Sequence, residues 1–186
     1  MNSKENSKYK YYENKIVNAF FYLLKHKNFD NIKIKDICVA AGINRTTFYA
    51  HYFDINDFMI KLEESFNNKI KNIFFEKGSR SVINGESFTE YFKFILENRY
   101  FYLAFFDHAD SISCENSMIN SLLDGISEAR GNKMEVYKRK TLYRMIFFGS
   151  GLKEITHFWL RKGCIETPEE MAGIITTEYF GREKKL

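Results

Sequence analysis

Proline is almost absent from this chain, one residue in 186, and glycine is limited to ten. With so few breakers, long stretches of regular apolar spacing run uninterrupted, which argues for helices joined by short turns. Strand-like runs are too few to build a sheet, so the expected class is all-α. Cysteine is scarce as well: Cys38, Cys114 and Cys164 are odd in number and far apart. No CxxC pair or Cys/His ligand spacing occurs, which argues against a structural zinc site. Neither a signal-peptide pattern nor an apolar run of about 18 residues is present, so a soluble cytoplasmic protein with no membrane partner is expected. Also missing are a phosphate loop and any His/Asp/Ser or Cys/His arrangement; His26, His51, His108 and His157 are scattered. An enzyme is therefore not expected, nor is a cofactor or metal.

Charge is present but unevenly placed. Residues 1–61 hold ten Lys/Arg against six Asp/Glu, whereas residues 62–186 hold eighteen of each. The whole net charge of +4 thus sits at the N-terminal end, as expected if that end meets a polyanion.

Within that basic end, Lys33 to Tyr52 reads KIKDICVAAGINRTTFYAHY. Ile34, Ile37, Cys38 and Ala41 share one face of a first helix. Gly42 suits the left-handed residue that ends it, and Asn44 is a good N-cap for a second helix carrying Phe48. Outward on that second helix lie Asn44, Arg45, Thr46, Thr47, Tyr49 and His51. Short polar donors, one guanidinium and one phenol suit phosphates and base edges better than bulk water.

Along the rest of the chain, Tyr12, Ile16, Ala19, Phe20, Leu23 and Leu24 predict a first helix over about 9–27. Asp54 with Asp57 opens a long helix over 54–75. The breaker-rich segment 78–86 marks a domain boundary. Beyond it, Ser87 with Glu90 opens an aromatic helix, and a second aromatic helix covers Tyr100–Phe106. Further helices are expected around Met118–Ile126, over 134–162, and from Thr167-Pro168-Glu169-Glu170 onward. The domains are then 9–53, 54–76 and 77–186. The helix over 134–162 carries two apolar stripes, one through Leu142, Met145, Gly149, Leu152, Thr156 and Trp159, the other through Phe148, Gly151, Ile155 and Phe158. One closes the core and the other needs a partner.

Helices 34–41 and 44–50 together form a helix-turn-helix, which places its second helix in the DNA major groove. The run Ile16–Leu62 resembles the DNA-binding domain of the TetR family of transcriptional regulators. The matching residues are Ile16, Ala19, Leu23, Phe29, Ile32, Asp36-Ile37, Ala41-Gly42-Ile43, Thr47-Phe48-Tyr49 and His51-Tyr52. The resemblance implies a helix-turn-helix bundle joined by a long helix to a larger helical ligand-binding and dimerisation domain. By position, Lys33, Thr47, Tyr49 and His51 would meet phosphates or groove walls, and Asn44, Arg45 and Thr46 the bases. The alternative for Tyr49 and for His51 is a packing role. The chain departs from the family at Lys33, Asn44 and Ile55; the family usually carries a Lys in place of Ile55, so one phosphate contact is expected to be missing.

The implied function is a ligand-responsive regulator, by the family's usual habit a repressor, binding a palindromic operator in double-stranded DNA as a homodimer. Phe92, Arg99, Tyr102, Phe106, Phe148 and Phe158 are candidates for the pocket of a small hydrophobic or aromatic effector, with plain core as the alternative. Met145, Gly149, Leu152, Trp159, Ile174 and Ile175 are candidates for the dimer interface. The rival reading is a ligand-dependent coactivator or protein-interaction partner that binds no operator.

Overall fold

The computed structural model describes residues 3–74, 84–108 and 132–180, and every regular element among them is helical. In chain order these are α1 (Ser3–Leu24), a single 3-10 turn (Phe29–Asn31), α2 (Ile34–Ala41), α3 (Arg45–Tyr49), α4 (Ile55–Phe74), α5 (Gly85–Glu97), α6 (Arg99–Asp107), α7 (Asn132–Arg161) and α8 (Pro168–Phe180). The helix expected around Met118–Ile126 lies outside the described residues. So does most of the expected boundary at 78–86.

The chain divides into two compact units. The first comprises the chain up to Glu63 together with α6 from Tyr100; the second comprises Glu64–Arg99 and the later helices. The connecting helix gives its first half to one core and its second half to the other.

Local chemistry sets the ends of most helices. At the start of α4, Asp54 Oδ1 accepts from the Asp57 N–H at 2.8 Å, and Asp57 Oδ2 accepts from the Phe53 N–H at 2.8 Å. That reciprocal cap satisfies two of the amides a helix start leaves bare. Thr167 and Glu170 do the same at α8, at 3.2 and 2.7 Å. At α5 the expectation needs correcting. Asn84, not Ser87, is the N-cap: its Oδ1 accepts from the Ser87 N–H and hydroxyl, both at 2.9 Å. The helix consequently opens three residues before the expected start. At its other end α1 stops at Leu24, where the His26 Nδ1 bonds the Tyr22 carbonyl at 2.7 Å.

The first unit is held by aromatic packing. Phe20, Phe48 and Phe58 are fully buried. Phe20 meets Phe58 edge to face at 4.9 Å, and Tyr52 meets Phe58 likewise at 4.8 Å. Such pairs add about 0.5–1.5 kcal/mol beyond area burial. Truncating Phe58 to Ala would cost about 3–5 kcal/mol. Ile16, Ile37, Cys38 and Ala41 complete this core, and burial pushes the Cys38 thiol pKa up, as for an inert packing residue.

In the second unit, Phe66 and Phe74 of α4 pack on Phe94 and Phe88 of α5 at 5.3 Å each. Phe92 meets Trp159 edge to face at 5.4 Å. The helix α7 separates its two stripes. Leu152, Thr156, Trp159 and Leu160 are buried, while Phe147 and Phe158 are 81% and 65% exposed. A closing turn ends α7, with Gly163 and Cys164 both at positive φ; the Cys164 N–H bonds the Trp159 carbonyl at 3.0 Å.

Candidate nucleic-acid interface

The turn between α2 and α3 forms because Gly42 adopts φ +61°, a conformation that strains residues with a Cβ. Asn44 then starts α3. Its Oδ1 accepts from the Thr47 N–H at 2.7 Å and from the Thr47 hydroxyl at 2.8 Å. Phe48, fully buried, anchors α3 to the core. Lys61 of α4 fixes the far end by donating to the His51 carbonyl at 3.2 Å while pairing with Asp57 at 2.9 Å. A five-residue helix is marginal alone, so these ties set its orientation.

With Phe48 turned inward, the outward side chains of α3 are Arg45, Thr46 and Tyr49. Tyr49 is 53% exposed and touches Phe48 only edge on. Arg45 is exposed and makes no ion pair among the described residues. Asn44 and Thr47 differ from the sequence expectation in part. Their oxygens are committed to one another as a cap, so what they have left to offer a ligand is the Asn44 amide donor and the Thr47 lone pairs.

Lys33 precedes α2 and is exposed, beside Asp36. The Asp36 carboxylate accepts from Lys27 Nζ at 2.7 Å and from the Lys33 N–H at 3.0 Å. The Lys27 bond, with the Lys33 amide, holds that carboxyl below its usual range. The Lys33 ammonium is left outside that pair. His51 is only 7% exposed, with the Tyr9 ring of α1 packed on its own at 3.9 Å, the planes tilted by 32°. Burial, helped by Lys61 and opposed by Glu13, holds the imidazole below its ordinary pKa, so it is neutral at pH 7. The open groove-wall contact expected of His51 is thus a ring covered by a tyrosine. Sequence spacing gave no sign of Tyr9, because it lies forty-two positions upstream.

Lys8, Tyr9 and Tyr12 of α1 line a shallow cleft with Asn44, Thr46, Thr47, Ala50 and His51.

The expected effector and interface residues are more dispersed. Phe92 and Phe148 belong to the second unit, Tyr102 and Phe106 to the first. Phe92 is fully buried against Trp159, a core position, and Phe158 faces outward. Arg99 is exposed. Of the interface candidates, Leu152, Trp159 and Ile175 are buried inside their own unit, where Leu152 is 3% and Trp159 1% exposed. They are core because α7 turns its bulkier indole toward α5. Ile174 is exposed, and Gly149 has open space where a Cβ would stand. The Met145 side chain lies outside the described atoms. The outward stripe is instead Tyr143, Phe147, Gly151, Ile155 and Phe158.

Among the described residues no group of His, Cys, Asp and Glu could hold a metal ion, and no helix is long and apolar enough to cross a membrane.

The dihydroxyacetone kinase operon activator DhaS has a similar fold, with a TM-score of 0.57 over 93% of this chain and 96% of that one, at 16% identity. No curated protein matches the sequence. A TetR family model, described as a transcriptional regulator C-terminal region, matches residues 84–178, just over half of the chain. The chain belongs to the TetR family of transcriptional regulators.

Proposed function

We propose that this regulator binds an operator in double-stranded DNA as a homodimer, α3 entering the major groove of each half-site. The observation that carries the reading is the outward face of α3. It bares Arg45, Thr46 and Tyr49 on a helix pinned from behind by Phe48. Arg45 can grip guanine O6 and N7 with its fork, while Tyr49, Thr47 and Lys33 meet the backbone. The excess positive charge of residues 1–61 supports it.

Dimerisation is supported by the outward stripe of α7, whose Phe147 and Phe158 are largely exposed. Gly151, bare of neighbours within 4 Å, lets another helix approach. An aromatic or hydrophobic effector held by the C-terminal region would act through α4, which is continuous from one unit into the other. Repression is the direction we infer.

A second reading has its own observation. Val39 on α2 of the helix-turn-helix and Phe53 just beyond it are 73% and 84% exposed, as at a protein-binding surface. Gel retardation of DNA from upstream of the chain's own coding sequence, repeated at rising salt, separates the two. Operator binding gives a retarded species that salt dissolves. Absence of retardation at low salt would reject it.

A further inference from the structure

Between Asn6 and Lys15 no residue of α1 is buried, yet the helix runs through this whole stretch. A helix with no apolar face in the core needs another tie. Here that tie is the packing of Tyr9 on His51, ring centroids 3.9 Å apart and planes tilted by 32°. It closes one wall of the cleft that joins Lys8, Tyr9 and Tyr12 to Asn44, Thr46, Thr47 and His51. Lys8 makes no ion pair among the described residues and is exposed. His51 is 7% exposed, and its Nδ1 makes no hydrogen bond among the described residues. An uncommitted cation, hydroxyls and an unbonded buried imidazole nitrogen in one concavity are the chemistry of an anion seat.

We propose that this cleft seats one backbone phosphodiester of the duplex that α3 reads, which makes the start of α1 a second arm of the interface. The inference rests on the operator-binding reading and extends it to residues of α1. Lys8 supplies the charge and Thr46 a hydroxyl donor. Tyr9 holds the arm in register by packing on His51. An arm placed this way adds affinity on any sequence and no base preference.

The test compares wild type, Lys8→Gln, Tyr9→Ala, Tyr9→Phe, Arg45→Ala and, as a control in the same basic N-terminal stretch but outside the cleft, Lys25→Gln. Fluorescence anisotropy follows binding to a labelled duplex of the upstream region and to a random-sequence duplex, across a salt series. One released counterion contributes salt concentration to the power of about −0.9, so Lys8→Gln should flatten the slope by about 0.9 and weaken binding roughly eightfold near 0.1 M salt, equally on both duplexes. Tyr9→Ala should weaken both, Tyr9→Phe should keep the ring packing and the affinity, and Lys25→Gln should match wild type. An unchanged slope in Lys8→Gln, with Arg45→Ala still impaired, overturns the α1 arm and leaves the operator reading standing. Wild type that binds neither duplex overturns both. Titration with inorganic phosphate adds a third arm: shifts in the Tyr9 and His51 resonances, together with an unchanged Lys8→Gln slope, would assign the seat to a free anion and overturn the DNA assignment.

Discussion

His108, at the end of α6, places Nε2 2.6 Å from Asp30 Oδ1 on the 3-10 turn, seventy-eight positions earlier in the chain. Its other nitrogen, Nδ1, stands 2.8 Å from the Ala104 carbonyl. Both partners are acceptors, so both ring nitrogens donate only when the imidazole is protonated. The ring also rests against Phe29 at 4.8 Å. Burial opposes the charge, but the Ala104 carbonyl, Asp30 and Asp107 outweigh it and hold the His108 pKa above its ordinary value.

This latch makes the first unit's stability depend on pH. The folded pKa exceeds that of the unfolded imidazole, about 6.5, so the contribution is complete below that value and fades as pH rises through the folded one. Asp30 is 63% exposed, which limits the pair to roughly 0.5 kcal/mol. Asp30→Asn should therefore destabilise near pH 6 and be neutral near pH 9. Urea unfolding followed by circular dichroism at both pH values checks it; equal effects at the two would remove the latch.

Neighbouring residues at the start of α3 should fail in different ways. Asn44→Ala removes the cap on the Thr47 amide and should lower stability by about 1 kcal/mol in thermal unfolding. Arg45→Ala and Tyr49→Ala leave the core alone and should unfold like wild type. Loss of a bidentate base contact costs about 1–3 kcal/mol, so Arg45→Ala should bind operator roughly 5- to 150-fold more weakly. Retardation unchanged in both variants would contradict the assigned face.

Inside the second unit, the Thr156 hydroxyl donates to the Leu152 carbonyl at 2.7 Å, so the Tyr91 hydroxyl must be the donor in their 3.1 Å bond. Burial pushes the Tyr91 pKa up to about 12. Thr156→Val strands a buried phenol and should cost about 1–3 kcal/mol, whereas Tyr91→Phe leaves Thr156 still bonded and should cost about 1. Denaturant midpoints that reverse this order would show the donor assignment to be wrong.

The two stripes of α7 make a further contrast. Phe147→Asp or Phe158→Asp should halve the sedimenting mass and spare the fold, because both rings are largely exposed. Leu152→Ala should instead cost about 2–5 kcal/mol of protomer stability. Sedimentation of Phe158→Asp as wild type would move the dimer contact elsewhere.

Much of this was legible where cause and effect lie within one helical turn. Asp54 with Asp57, Thr167 with Glu170, and Gly42 followed by Asn44 were readable, because a cap depends only on residues three or four apart. The α5 start was misread because Ser87 and Asn84 are both good caps, and only Asn84 accepts from the Ser87 hydroxyl in the fold. Arg45 and Tyr49 could be placed outward once Phe48 was recognised as the anchor.

Composition, breakers and periodicity thus determined an all-helical chain with a helix-turn-helix, since helices and their caps are local. Which stripe of α7 turns inward, what covers His51 and which core α6 joins were decided by tertiary packing. Two apolar stripes look alike in sequence, and only Phe92 facing Trp159 tells core from surface. Tyr9 meets His51 and Asp30 meets His108 across separations that no local pattern encodes. Those contacts form because the buried rings of Phe20, Phe48 and Phe58 leave the helices few other ways to close.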